Sequence, residues 1–234
     1  VHSLPAALAA ALAMLPVAAP AQSVYPSYGP PVTLSSGDSQ RRETESLPLA
    51  QAASGHIPPA QPVDSVSINY GRVNGKPVTG YLAFPTHNYK PLPGVLVFPA
   101  WWGLDRNVRA LTERLAGEGY TVLAVDPFQG RIAPTKAAAR ELKPAALADP
   151  AALDANFRQA YGYLKTHLQV LKVGTVGGAF GGDLSLRAAQ VLGPRLSGGV
   201  LLSTGFAHVQ APEIEEPLLL LAGGADAIDR KSVV

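Results

Sequence analysis

The chain has 234 residues and a formal net charge of only +2. Its lysines and arginines are scattered rather than gathered in one stripe, so we predict no nucleic-acid partner. The absence of cysteine excludes disulfides, lipid attachment through a cysteine and a thiolate nucleophile. The five histidines do not have the spacing of metal ligands. We therefore expect neither a metal nor another cofactor.

Residues 1–21 are typical of a signal peptide. The stretch from Leu4 to Ala19 is uncharged and rich in alanine and leucine, and Ala19-Pro20-Ala21 gives a small-x-small cleavage site before Gln22. This stretch is shorter and richer in alanine than a membrane span, which needs roughly 20 strongly apolar residues. We expect an exported protein, periplasmic or secreted, with no stable membrane span once the signal is removed.

Residues 22–62 change in composition. Proline, serine, glutamine and alanine dominate, and no apolar periodicity is visible. This composition is typical of a flexible spacer, and either a propeptide or a surface tether fits it. The folded domain is predicted to span residues 63–228.

The first part of this domain predicts a hairpin. Two alternating runs, Val66 to Tyr70 and Val78 to Phe84, flank Asn74-Gly75. Asn-Gly between strand-like runs is the strongest short hairpin signal, so we expect an antiparallel pair of strands here.

Apolar strands then alternate with helical segments. This alternation predicts an α/β fold with a mostly parallel central sheet and helices on both faces. The helices expected before residue 170 are Asn107 to Glu118, with a cap near Asp105, Lys136 to Leu142 and Pro150 to Leu168.

The stretch from Val176 to Gly182 has the layout of a nucleophile elbow without a nucleophile. In the G-x-S-x-G elbow, the middle residue points its side chain into the active site and the flanking glycines let strand and helix approach. Here the glycines are Gly177 and Gly181, and the middle residue is Ala179. A purely structural tight turn is one alternative. The other, a dinucleotide-binding loop, requires G-x-G-x-x-G, and this stretch offers no register with that spacing.

Two other segments combine a buried strand with a following loop. One ends in Pro99-Ala100-Trp101-Trp102-Gly103-Leu104, and the other runs from Tyr120 to Phe128. With Phe180-Gly181-Gly182, they resemble the dienelactone hydrolase family, whose corresponding motifs are His-Glu-x-Trp-Gly-Leu and Gly-Phe-Cys-Phe-Gly-Gly. The resemblance covers Val63 to Ile228. It implies the α/β-hydrolase fold and a small-molecule ester or lactone as substrate or ligand.

The resemblance also shows where the chain departs from the family. The family's nucleophilic cysteine falls on Ala179, the glutamate that contacts the thiol falls on Ala100, and the histidine before it falls on Pro99. The resemblance still implies an oxyanion hole formed by the backbone N–H groups of Phe180 and Trp101, because backbone donors do not depend on the side chain.

The resemblance makes Asp226, after a later strand, the expected triad acid. A plain turn residue is the alternative. No histidine follows Asp226, and His208 precedes it in the chain. His208 is therefore interpreted as a surface or pocket-rim residue rather than the catalytic base.

The expected pocket is lined by aromatic and small side chains: Ala100, Trp101, Trp102, Phe128 and Phe180, with Arg131 near its edge. Arg131 either meets a substrate carboxylate or is an ordinary exposed loop arginine. Ser185 is predicted to point away from the site, and Ser203 and Thr204 are predicted as wall residues at a strand end.

The sequence ends in Asp229-Arg230-Lys231-Ser232-Val233-Val234, which one reading frame of a common sequencing-library adapter encodes. Our hypothesis is that residues 229–234 are a non-native tail and that the sheet is truncated at its C-terminal edge. The natural protein would then continue and could carry a histidine. A genuine short C-terminus is the alternative.

Two functions follow from these observations. The first is a hydrolase of the dienelactone hydrolase type, acting on a carboxylic ester or lactone but inactive with the sequence as written. The second is a catalytically inactive relative that uses the same pocket to bind a small ligand.

Overall fold

A computed structural model of the chain describes residues 57–87, 90–204 and 214–221. These residues form a seven-stranded sheet. The strands are β1 (Val63–Val73), β2 (Lys76–Pro85), β3 (Gly94–Phe98), β4 (Thr121–Ala124), β5 (Val173–Gly178), β6 (Gly198–Leu202) and β7 (Leu218–Leu221). The α-helices are α1 (Arg106–Gly117), α2 (Lys136–Leu147), α3 (Pro150–Thr166) and α4 (Phe180–Leu192), and a 3-10 turn follows at Gly193–Arg195.

The strands are arranged in the order β1-β2-β4-β3-β5-β6-β7. The pairs β1–β2 and β2–β4 are antiparallel. The pairs from β4 through β3, β5 and β6 to β7 are parallel. The predicted α/β architecture with a mostly parallel sheet is therefore confirmed. Because the carboxyl ends of parallel strands lie at one edge, the loops after β3, β4, β5 and β6 meet there.

The predicted hairpin is also confirmed. Val73 pairs with Lys76 across a two-residue loop. In that loop Asn74 has φ 50° and Gly75 has φ 75°. Positive φ at both loop residues is what a two-residue turn that matches the strand twist requires, and asparagine and glycine tolerate it best.

The core lies on both faces of the sheet. All five residues of β3 are buried. Val95 and Val97 pack with the residues of α1, whereas Leu96 and Phe98 pack with those of α2, α3 and α4. A strand buried on both faces needs apolar residues at every position, and β3 has them.

The helices match the predictions except in their ends. Asp105 caps α1 by accepting hydrogen bonds from the backbone N–H groups of Asn107 and Val108, both at 3.0 Å. Helix α2 continues to Leu147, five residues past the predicted end at Leu142, although it contains Pro144. Leu142 and Ala146 are buried on one face of this helix. Their burial offsets the backbone hydrogen bond that proline removes.

Several predictions concern residues outside the described ranges. These are the signal peptide, the spacer up to residue 56, Asp226, His208 and the tail at 229–234. Within the described part of the chain, no helix combines the length and hydropathy needed to cross a membrane.

Candidate active site

Ala179 lies at the sharp turn between β5 and α4, as predicted. Its backbone has φ 49° and ψ −120°, a conformation that residues with a β-carbon rarely adopt. The Ala179 N–H donates to the carbonyl oxygen of Leu202 at 2.9 Å, which ties the turn to β6. Ala179 is exposed, while Gly177, Phe180 and Gly181 around it are buried. The turn therefore presents the methyl group of Ala179 to solvent.

The glycines around this turn are required by close packing. A β-carbon at Gly177 would overlap the carbonyl oxygen of Gly181, and one at Gly181 would overlap the carbonyl oxygen of Phe98. These approaches hold the start of α4 against the ends of β5 and β3. The predicted reason for the glycines, the close approach of strand and helix, is thus confirmed.

The two backbone amides expected to form an oxyanion hole are those of Trp101 and Phe180. Phe180 is the first residue of α4, and its cap residue Ala179 makes no side-chain hydrogen bond. Among the described residues, neither amide donates a hydrogen bond to a protein acceptor. Free N–H groups at a helix start attract negative charge, and the helix dipole adds to this effect.

The loop after β3 carries the two tryptophans. Trp101 and Trp102 are half-buried, and their rings meet edge to face at 5.9 Å between centroids. Both pack against the core cluster that contains Phe180. Gly103 has φ 88°, and a β-carbon there would overlap the carbonyl oxygen of Arg131. The loop after β3 therefore rests on the loop after β4.

Phe128 differs from its predicted role as a residue of the pocket wall. Its side chain is fully buried, and its ring lies 6.1 Å from the ring of Phe180. Phe180, also predicted to line the pocket, is buried too, so both rings belong to the core. The sequence predicts an aromatic cluster here but not the burial of both rings.

Phe180 is also contacted by a cation. The Lys143 ammonium lies 4.9 Å from the centroid of the Phe180 ring and 3.5 Å from the Asp183 carboxylate. Lys143 and Asp183 are both partly exposed, so this ion pair contributes little to stability. Lys143 nevertheless places a positive charge near the first turn of α4.

Arg131 is exposed on the loop after β4. Its Nε donates to the Phe128 carbonyl oxygen at 3.1 Å. This contact closes the loop on itself and agrees with an ordinary loop arginine. The guanidinium still lowers the pKa of Asp126, although other effects on that carboxyl are larger.

Asp126 follows β4 at the same edge of the sheet, and the sequence did not mark it as a site residue. It is buried at the end of β4, and its carboxylate accepts hydrogen bonds from the backbone N–H groups of Phe128, at 2.8 Å, and Gly130. Burial raises the pKa of Asp126 above its ordinary value, although the two N–H donors oppose the shift. Asp-Pro after a buried strand was a usable signal, because a strand-end carboxylate commonly binds the backbone two residues on.

The neighbouring hydroxyls of Ser185 and Thr204 are both engaged in hydrogen bonds within the protein. Ser185 is buried within α4, and its hydroxyl donates to Thr175 Oγ1 at 2.7 Å, as expected for a side chain that points away from the site. Ser203 has φ 47° beside the turn. A β-carbon at Gly182 would overlap Thr204 Oγ1. Thr204 thus packs under the first turn of α4.

The acid and base of the expected triad are not among these groups. Asp226 lies outside the described residues, beyond the end of β7 at Leu221. His208 also lies outside them. In the part of the chain that the structure describes, no cluster of His, Cys, Asp or Glu side chains could hold a metal ion.

Comparisons with known proteins identify the class to which this fold and this turn belong. The chain belongs to the dienelactone hydrolase family, whose model matches residues 78–233. The resemblance seen in the sequence is therefore confirmed.

The chain is also similar to individual known proteins. Protein usf of Aquifex pyrophilus is 33% identical over 119 residues, which are 48% of this chain and 50% of that protein. A protein of Aquifex aeolicus (strain VF5) that is provisionally named a carboxymethylenebutenolidase is 40% identical over 63 residues, 26% of each chain. The alignments with these two curated relatives thus span half of their length or less. The solved structure of m3DLH has 26% identity, covers 73% of each chain and gives a TM-score of 0.64.

Proposed function

We propose that this chain binds a small carboxylic ester or lactone in the dienelactone hydrolase pocket and, with the sequence as written, does not cleave it. Membership of the family supports an ester or lactone hydrolase. The observation that carries the finer proposal is the turn at Ala179, which keeps the strained backbone of a nucleophile elbow while exposing only a methyl group.

Binding draws on features that do not need a nucleophile. The Trp101 and Phe180 amides have no protein acceptor within the described residues, and they are suited to the carbonyl oxygen of an ester. The indole rings of Trp101 and Trp102 offer apolar surface beside them. Apolar walls with a few backbone donors are typical of small-molecule sites.

Cleavage by the family's covalent route requires an attacking atom. A methyl group has no lone pair, and Ala100 and Pro99 supply neither carboxylate nor imidazole beside it. Loss of the nucleophile leaves a residual acceleration of roughly 10³–10⁴ over water in well-studied hydrolases, from the oxyanion hole and binding alone. We expect this chain to show no more than that.

Two measurements test the proposal together. Tryptophan fluorescence follows binding of dihydrocoumarin, a lactone, because both tryptophans of the chain lie in the loop after β3. Release of nitrophenol from p-nitrophenyl acetate follows cleavage. We expect saturable quenching by the lactone, weakened by Ala179→Leu, which fills the space before the turn. The matched control is Ala145→Leu, an exposed site on α2.

The outcomes separate the alternatives. Saturable quenching without a burst of nitrophenol supports a binding protein. A burst that rises in proportion to protein concentration shows that another residue attacks the ester, and the proposal is then wrong. Equal quenching in the wild type and in Ala179→Leu places the lactone elsewhere on the molecule.

A further inference from the structure

Asp126 lies at the centre of a buried hydrogen-bond network. Its own N–H donates to the Tyr70 hydroxyl at 3.2 Å. The Tyr70 hydroxyl donates to Asn156 Oδ1 at 2.5 Å, and Asn156 Nδ2 donates to the Asp126 carbonyl oxygen at 2.8 Å. These three residues come from β1, the end of β4 and α3, so the network fixes the start of the loop to two other elements.

The carboxylate of Asp126 then shapes the loop itself. It accepts the Phe128 N–H through one oxygen and the Gly130 N–H through the other. Gln129 between them has φ 55° and Gly130 has φ 80°. A loop with two successive residues at positive φ needs a local anchor, because such a backbone is costly for glutamine.

This loop, residues 126–133, contacts Phe180 and the two residues that follow Trp101. At its start, the ring of Phe128 packs 6.1 Å from that of Phe180. At its end, the Ala133 N–H donates to the Trp102 carbonyl oxygen at 3.0 Å. Between these contacts, the Arg131 carbonyl oxygen lies against Gly103. The loop 126–133 therefore contacts the first residue of α4 on one side and the loop after β3, which carries Trp101 and Trp102, on the other.

We propose that Asp126 is a positioning residue, which sets the geometry of the Trp101 and Phe180 amides by holding residues 126–133 in one conformation. The proposal deepens the proposed function, since it names what orients the groups that would bind the ester oxygen. It assigns no chemical step to Asp126, because its oxygens are engaged by the loop backbone.

A purely local turn is the simpler alternative. A strand-end aspartate often accepts the N–H two residues ahead, and that contact alone would matter only to the turn. Asp126 also binds Gly130, and its backbone is held by Tyr70 and Asn156. Hydrogen bonds to two distant elements indicate that Asp126 fixes the position of the loop relative to the sheet and α3. Loss of its carboxylate should therefore change the environment of the two tryptophans.

The experiment uses the fact that the chain has two tryptophans and both are in the contacted loop. Asp126→Ala removes both acceptor oxygens, and Asp126→Asn keeps one. The control is Ser185→Ala, which breaks an equally buried hydrogen bond between α4 and Thr175 of β5. For each variant we would measure the emission maximum, acrylamide quenching and the midpoint of urea unfolding.

Relative to the wild type, the tryptophan emission maximum should shift to longer wavelength and acrylamide quenching should become stronger. Both changes should be larger in Asp126→Ala than in Asp126→Asn. Ser185→Ala should lower the unfolding midpoint without changing either fluorescence property. If Asp126→Ala does not fold, the comparison of Asp126→Asn with Ser185→Ala decides. Wild-type fluorescence in a folded Asp126 variant, or an equal change in Ser185→Ala, would overturn the proposal.

Binding of dihydrocoumarin distinguishes this proposal from the proposed function. If the wild type binds the lactone, we expect weaker binding in both Asp126 variants and unchanged binding in Ser185→Ala. If the wild type does not bind it, the proposed function fails. The fluorescence of the free protein still decides whether Asp126 positions the tryptophan loop.

Discussion

Gly181 lies directly against the carbonyl oxygen of Phe98, so that a β-carbon built on Gly181 would overlap that oxygen. The contact joins the first turn of α4 to the end of β3. It brings the turn at Ala179 and the loop with Trp101 to the same edge of the sheet. The candidate site therefore depends on a position where only a hydrogen atom fits.

Replacing this glycine should be far more harmful than replacing one with space around it. Gly181→Ala should lower the free energy of unfolding by about 1–3 kcal/mol or more, because backbone must move to relieve the overlap. Gly162, inside α3, has no atom within 4 Å of an added β-carbon. Gly162→Ala should raise stability by about 0.5–1 kcal/mol through better helix propensity. Urea unfolding of both variants checks this, and similar changes in the two would contradict the packing described.

The strain at Ala179 predicts a stabilising substitution. A non-glycine residue in a sparsely populated backbone region costs about 1–3 kcal/mol. Ala179 has φ 49°, so Ala179→Gly should raise the free energy of unfolding by about 1 kcal/mol after the extra entropy of glycine is subtracted. The control is Ala155→Gly, in the interior of α3, which should lower stability. A loss of stability in Ala179→Gly would show that the turn is not strained.

Much of the fold could be predicted from local sequence patterns. Asn74-Gly75 fixed the hairpin because few residue pairs tolerate positive φ at both positions. The elbow was visible because Gly177 and Gly181 have a steric role that no other residue can fill. The unbroken apolar pattern of β3 indicated a strand buried on both faces.

Other features depend on contacts between distant segments. The network of Tyr70, Asp126 and Asn156 joins residues up to 86 positions apart, and no local pattern marks it. Phe128 was expected to line the pocket, but its burial depends on packing against distant residues such as Phe180. The end of α2 was missed because packing of Leu142 and Ala146 carries the helix past Pro144.

The raised pKa of Asp126 predicts a pH dependence of stability. Burial raises this pKa above that of the unfolded chain. At a pH between the two pKa values, the Asp126 carboxyl is therefore protonated in the folded state and ionised in the unfolded state. The contribution of this group therefore favours the fold below the unfolded pKa and is lost as the pH rises through the folded pKa. Asp126→Asn has no such proton. The stability of the wild type minus that of Asp126→Asn should increase on acidification from about pH 7 to about pH 4. Urea unfolding along this range measures it, and a constant difference would contradict the shift.

The N-terminal sequence predicts export and processing. Expression with the export machinery present should yield a mature chain that begins at Gln22, because Ala19-Pro20-Ala21 offers small residues at both recognition positions. Mass spectrometry of the intact protein measures this, and Ala19→Lys with Ala21→Lys should block cleavage. A cytoplasmic protein that retains Val1 would show that the segment is not a signal peptide.

Restoring a thiol at the turn tests the geometry of the site most directly. Because the chain has no cysteine, Ala179→Cys creates a single reactive thiol at the start of α4. The helix N-terminus should lower its pKa below the value of about 8.5 for a free cysteine. Ala145→Cys, in the last turn of α2, is the control and should not show this decrease. The pH dependence of iodoacetamide alkylation measures both, and identical profiles would contradict an electropositive turn.

The same variant tests catalysis. With p-nitrophenyl acetate, Ala179→Cys in the 234-residue chain should not turn over, because no histidine follows Asp226 to act as base. A longer form that carries such a histidine should gain partial hydrolysis, since the turn and its two amides would already be in place. Adding Ala100→Glu should change the rate non-additively, because the family places that carboxylate against the thiol. Equal turnover by the short and the longer forms would show that the base is not a histidine beyond Asp226, and the assignment of the triad would then be wrong.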